Sequence, residues 1–123
     1  MGRATGSARV LIVDDNVDAA IMLREVLEAR GWCVEIAHSP QDALVLAAAF
    51  VPEVALLDIG LPEMDGYELA RRIRSTGLVC RFVALTGYGS DAERVRSRDA
   101  GFSEHLTKPA SITAILSAIT SDG

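Results

Sequence analysis

Five short apolar runs alternate with five stretches at helical spacing, and that alternation leaves few folds open to the chain. The runs cover residues 9–13, 33–37, 54–57, 82–85 and 104–107. Val54-Ala55-Leu56-Leu57 has the length and content of a strand buried on both faces, as in parallel sheets. Strands that alternate with helices build a parallel sheet with helices on both sides. Right-handed crossovers leave a handful of topologies, and the strand order 2-1-3-4-5 leads them. The expected class is therefore α/β, a doubly wound five-stranded parallel sheet.

The helices carry their own punctuation. Asn16 is an N-cap with Asp18 in the first turn, Ala20, Leu23, Val26 and Leu27 recur at helical spacing, and Gly31 stops the helix. Ser39-Pro40 opens the second helix and Val51-Pro52 closes it. Asp65-Gly66 leads into a third, with Leu69, Ala70 and Ile73 inside. Ser90-Asp91-Ala92-Glu93 has the form of a capping box before the fourth, and Ser111 caps the fifth. Gly87-Tyr88-Gly89 has only part of a dinucleotide-binding fingerprint and is read as a turn.

Length allows one domain, placed at residues 9–121 after a disordered segment, 1–8. That segment lacks the apolar core of a secretory signal, and no stretch is long enough to cross a membrane. A net charge of −5 argues against nucleic acid as a direct partner. Cys33 and Cys80 lie in or beside apolar strands, which predicts buried free thiols in a reducing, cytoplasmic setting. Lys108 is the only lysine in a chain that otherwise uses arginine.

Four runs end in polar groups: Asp14-Asp15, Asp58, Thr86 and Lys108. A parallel sheet places all of these along one edge, where ligands bind in open α/β folds. Three crowded carboxylates repel one another and either raise each other's pKa or recruit a cation. Hard oxygen ligands suit Mg²⁺ or Mn²⁺. Lys108 adds a second positive charge, and the Thr86 hydroxyl can donate to an oxyanion. Together these parts suit phosphoryl transfer to a carboxylate, with Asp58 as nucleophile.

Asp14-Asp15-Asn16, the Asp58 loop with Leu61-Pro62 and Met64-Asp65-Gly66, Leu85-Thr86, and Leu106-Thr107-Lys108-Pro109 resemble the receiver domain of two-component response regulators. The likeness runs from Arg9 to Thr120 and implies a flavodoxin-like fold. It further implies that Asp58 accepts a phosphoryl group from a phosphohistidine on a sensor histidine kinase or phosphotransfer domain. Asp15, Asp58 and the Gly60 carbonyl would hold Mg²⁺, with Asp14 acting through water. Lys108 would pair with the phosphoryl group, Thr86 would move to it, and the Lys108-Pro109 bond would be cis. The face made by the fourth helix, last strand and last helix would meet a downstream protein. Residues 65–74 and 84–110 look most like receivers fused to hybrid sensor kinases.

The family usually carries Tyr or Phe three residues before the lysine, and that ring rotates inward as the threonine moves. Here the position is His105, a smaller ring that titrates near neutrality. Met22, beside the Asp14-Asp15 loop, is a natural contact for a helical kinase domain.

Two other functions compete. A haloacid-dehalogenase-type Mg²⁺-dependent phosphatase also uses an Asp nucleophile, but it wants a second acid two residues later to protonate the leaving group. Gly60 stands there, and the chain has no room for a cap domain. A scaffold that is never phosphorylated would leave the carboxylates as a cost without a use. The sequence thus favours a phosphoacceptor over a turnover enzyme.

Overall fold

The computed structural model describes residues 8–61, 63–87 and 91–120, with no account of the Asp91 side chain. Its elements follow the expected alternation: β1 (Arg9–Val13), α1 (Val17–Glu28), β2 (Cys33–Ala37), α2 (Pro40–Phe50), β3 (Val54–Asp58), α3 (Gly66–Ser75), β4 (Arg81–Thr86), α4 (Asp91–Asp99), β5 (Glu104–Thr107) and α5 (Ile112–Thr120). The strands form one parallel sheet in the order β2-β1-β3-β4-β5.

Side chains alternate across each strand, and both faces are apolar. Val10, Ile12, Leu56 and Val83 join Ala20 and Leu27 of α1 and Ile115 and Ile119 of α5. Leu11, Val13, Leu57 and Ala84 join Ala43 of α2 and Leu69 and Ile73 of α3. Burying each large side chain contributes about 1.5–3 kcal/mol, so β3, buried at all five positions, is the spine of the fold.

Caps fall where the sequence places them. Asn16 accepts from Ala19 N–H, Ser39 from Asp42 N–H, Asp65 from Glu68 N–H and Ser111 from Ala114 N–H. Each such cap contributes about 1 kcal/mol. The capping box proposed for α4 begins at Ser90, outside the described residues, as do Tyr88 and Gly89. Val51 ends α2 in a left-handed conformation, φ 52°, rare for a β-branched residue, and its carbonyl accepts from Arg9 Nε at 2.8 Å. At the same edge of the sheet Arg81 donates to the carbonyls of Ala118 and Ile119, closing the last turn of α5.

Two expectations need correction. Cys33 is exposed, not buried: it opens β2, an edge strand paired only with β1, and its side chain lies off both cores. Cys80 is half-buried, and burial pushes its thiol up to about 12, which leaves it unreactive. Ala8, placed in the expected disordered segment, is buried, and its carbonyl accepts from Cys33 N–H at 2.9 Å. Residues 1–7 and 121–123 lie outside the described residues. None of the described helices is long and apolar enough to cross a membrane.

Candidate functional site

The carboxyl ends of the strands gather the predicted groups. Asp14 follows β1 and its N–H bonds the Ala37 carbonyl of β2, which draws the acid loop against the sheet. Asp58 is the last residue of β3 and pairs in register with Leu85, one residue before Thr86. Thr86 pairs with Thr107, one residue before Lys108. Lys108 N–H donates to the Thr86 carbonyl at 2.7 Å, and the Lys108-Pro109 bond is cis. Register alone therefore brings Asp58, Thr86 and Lys108 to one edge.

Carboxylate oxygens of Asp14, Asp15 and Asp58 lie within 4.8 Å of one another. Asp14 and Asp58 are buried and Asp15 is exposed. Lys108 Nζ bridges the buried pair, 3.2 Å from Asp58 Oδ2 and 3.4 Å from Asp14 Oδ2. A lone lysine thus finds its reason. Burial is the strongest influence on Lys108 and works against its charge, but the two aspartates outweigh it and hold the ammonium above its ordinary value. Asp14 moves up for a different mix of causes. Burial dominates and the Asp58 charge adds to it, while the Asn16 N–H and Lys108 pull the other way.

The two oxygens of Asp14 are already engaged, Oδ1 by Asn16 N–H at 2.9 Å and Oδ2 by Lys108. Asp15 makes no side-chain hydrogen bond among the described residues. Asp58 Oδ1 accepts from Gly60 N–H at 3.0 Å, which curls the loop over the carboxylate. Three anionic oxygens at this spacing, only partly neutralised by one ammonium, fit a small hard dication. Gly66 fixes the loop from behind. A Cβ there would fall 2.7 Å from Ile59 Cδ1 and 3.1 Å from the Asp58 carbonyl oxygen.

Two surfaces flank this edge. On the α1 side, an apolar groove of about 740 Å³ runs from Asp14 and Lys108 past Ala19, Met22, Val26 and Ile112. Met22 is 67% exposed, as its place off the core stripe predicts. On the other side stands His105, half-buried in β5. Its Nδ1 lies 2.6 Å from Ser97 Oγ of α4. Ser97 in turn lies 3.1 Å from the hydroxyl of Tyr67 in α3, and that hydroxyl donates to Glu93 Oε1 at 3.0 Å. The ring of His105 is therefore turned toward α4. Neither Ser97 nor Tyr67 stood out in the sequence; the available signal was α4 itself, whose single large apolar residue, Val95, is exposed.

Comparison with known proteins agrees with this geometry. Residues 10–120 match the family model for the response regulator receiver domain. The response regulator MprA of Mycobacterium ulcerans is 38% identical over 110 residues, 89% of this chain and 47% of the relative. Its counterpart in Mycobacterium tuberculosis is 37% identical over 110 residues, 89% of this chain and 48% of its own length. The chain spans about half the length of these curated relatives. A CheY-like receiver domain from Methanospirillum hungatei superimposes with a TM-score of 0.84 at 32% identity, covering 92% of this chain and 90% of that one. A Burkholderia pseudomallei response regulator, solved with a phosphorylated aspartic acid, calcium ion and citrate, gives a TM-score of 0.84 at 35% identity, covering 91% of this chain and 66% of the other.

Proposed function

The chain belongs to the response regulator receiver domain family, and on that footing we propose that Asp58 is its phosphoacceptor, with Asp14, Asp15, Thr86 and Lys108 as the supporting set. Receivers of two-component systems take a phosphoryl group on an aspartate and are not turnover enzymes. The haloacid-dehalogenase reading has no support in the relatives, which are response regulators. The single observation that carries the assignment is Lys108 seated between Asp58 and Asp14. It balances buried carboxylates now and can follow the charge as it moves onto the phosphoryl oxygens.

Asp15 and Asp58 would hold Mg²⁺ or Mn²⁺ directly, joined by the Gly60 carbonyl, with Asp14 one water away. Asp14's filled hydrogen bonds and Asp15's exposure support that division. A bound dication supplies charge neutralisation at the carboxylates and at the entering phosphoryl oxygens. The chain's own residues do the rest. Asp58 Oδ attacks phosphorus, the donor's bond to phosphorus breaks, and the Lys108 ammonium and Thr86 hydroxyl hold the new phosphoryl oxygens. Because these groups belong to the receiver, small phosphodonors serve as well as a kinase, and hydrolysis of the acyl phosphate is catalysed in the same pocket.

Receivers exchange phosphoryl groups with histidine kinases or phosphotransfer domains. In this chain the apolar groove beside Asp14 suits a helical donor. It is continuous with the phosphorylation edge, so whatever fills it lies against Asp58's pocket, and Met22 offers it an exposed thioether. The downstream surface is α4, β5 and α5, supported by the bond that ties His105 to α4.

Acetyl phosphate with Mg²⁺ should add one phosphoryl group to the protein, read by intact mass, and Asp58→Asn should abolish it. Full-rate labelling of the Asp58→Asn protein would overturn the assignment.

A further inference from the structure

We propose that His38 is a positioning residue of the acid loop: its imidazole clamps the peptide that joins Asp14 to Asp15 and so aims Asp15 at the dication. Nδ1 of His38 lies 3.1 Å from the Asp14 carbonyl oxygen, across 24 residues of chain. That distance is ordinary for an N–H···O bond. A carbonyl oxygen has no proton to give, so the ring nitrogen is the donor. The N–H of the same residue donates to the Ala37 carbonyl at 3.1 Å. Asp14 is thus gripped at both its backbone polar groups by two consecutive residues, Ala37 and His38. The side chain of Asp14 is engaged as well, Oδ1 by Asn16 N–H and Oδ2 by Lys108.

Asp15 is built the other way. It is exposed and makes no side-chain hydrogen bond among the described residues, yet its carboxylate lies within 4.8 Å of those of Asp14 and Asp58. Its direction comes from its backbone, and the plane of the Asp14-Asp15 peptide is what the imidazole holds. Groups behind a metal ligand that fix its direction set much of the affinity. His38 is well placed for this task. Ala37 before it is buried and pairs in register with Val13 of β1. Ser39 after it caps α2 by accepting from Asp42 N–H at 3.2 Å, and Pro40 is buried in the first turn. The ring is therefore carried by backbone fixed on both sides. It is itself exposed and belongs to neither apolar core, so replacing it leaves the packing intact.

The proposal rests on the reading of Asp15 as a direct ligand, and the test separates the two. Backbone amide shifts of the acid loop, followed by NMR as Mg²⁺ is added, give both the metal-free conformation and the affinity. Without metal, His38→Ala should move the Asp15 amide, whose nitrogen belongs to the clamped peptide, and His38→Asn should bring it back. The asparagine amide nitrogen stands as many bonds from Cα as Nδ1 does and can donate to the same carbonyl, and neither replacement carries a charge. Mg²⁺ affinity should fall about tenfold in His38→Ala, the lower end for losing such a partner, and most of it should return in His38→Asn. In an Asp15→Ala protein the further change His38→Ala should cost nothing more, because the two act through one ligand. Equal affinity in the alanine and asparagine variants, whether unchanged or reduced, would overturn the proposal while leaving Asp15 as a ligand. A second full loss when His38→Ala is added to Asp15→Ala would overturn it too. Unchanged affinity in Asp15→Ala alone would overturn the ligand reading, and this proposal with it.

Discussion

Two helices flank the same edge of the sheet and are built from opposite materials. α1 buries Ala20 and Leu27, half-buries Leu23 and Val26, and still leaves Met22 outside beside the acid loop. α4 exposes its only large apolar residue and turns Ser97 inward instead. An apolar groove tolerates many occupants of suitable shape, because its attraction does not depend on direction. A buried hydroxyl accepts one arrangement only, because each proton has one place to go. The first would suit the proposed donor surface, which has to release its partner after each transfer. The second would suit the proposed downstream surface, which has to register a change in β5.

Lys108 belongs to both sides, lining the groove and closing the sheet edge that leads to His105. Lys108→Ala should therefore erase the contrast, slowing labelling by acetyl phosphate and by a kinase alike on the order of 100-fold, the usual effect of losing one charge-stabilising donor. Stopped-flow or mass-based labelling would measure it. A loss confined to the kinase reaction would place Lys108 in docking, not chemistry.

The acid loop comes next. Asp15→Ala should weaken Mg²⁺ binding more than Asp14→Ala, by about tenfold or more, because a direct ligand is lost in one case and a water-mediated one in the other. Fluorescence or calorimetric titration of both variants gives the ratio, and equal losses would reject the division of roles.

Met22→Glu should slow transfer from a kinase by about tenfold, or 1.4 kcal/mol, while acetyl phosphate labelling stays at the wild-type rate. Arg94→Ala on exposed α4 is the matching control and should change neither rate. If the α4 variant slowed the kinase as much as the α1 variant, the assignment of input and output to different helices would fail.

The smallest effect concerns Asp14 in the metal-free protein. Its folded value lies above the unfolded one, chiefly through burial. The folded state then binds that proton more tightly, so the penalty of an ionised Asp14 is fully present above the folded value and is relieved as pH falls through it. Asp14→Asn should remove this slope and stabilise the protein at neutral pH by less than about 1 kcal/mol, since the Lys108 pair lost with it is partly screened. Thermal melts against pH would read the change of slope.

Much of this was legible in the sequence because it is local. Asn16, Ser39, Asp65 and Ser111 announce helix starts through side chains that reach three residues ahead. The strand-end acids are legible because an apolar run that stops at a carboxylate in a parallel sheet has only one edge to stop at. Cys33 was misread for a non-local reason: its strand sits at the edge of the sheet, and edge position belongs to the topology, not to the run itself. The link among Tyr67, Ser97 and His105 was invisible because it joins three elements at separations of 30 and 8 residues through polar groups of ordinary type. Val51 could not be read as left-handed, since nothing in a Val-Pro step asks for it.

Gly66 has an effect beyond its own helix. The first turn of α3 rests directly on the backbone that follows Asp58, and a side chain at 66 would meet Ile59 and the Asp58 carbonyl within van der Waals radii. At Gly60 an added Cβ would meet nothing nearer than Asp58 Oδ1 at 3.7 Å. In a library holding every single substitution, position 66 should be emptied as thoroughly as position 58, while alanine persists at 60. A fitness map of this chain would therefore score a residue with no reacting atom as high as the phosphoacceptor, and one whose carbonyl is a proposed metal ligand as permissive. Selection at this edge would then weigh the space a loop needs as heavily as the chemistry it presents.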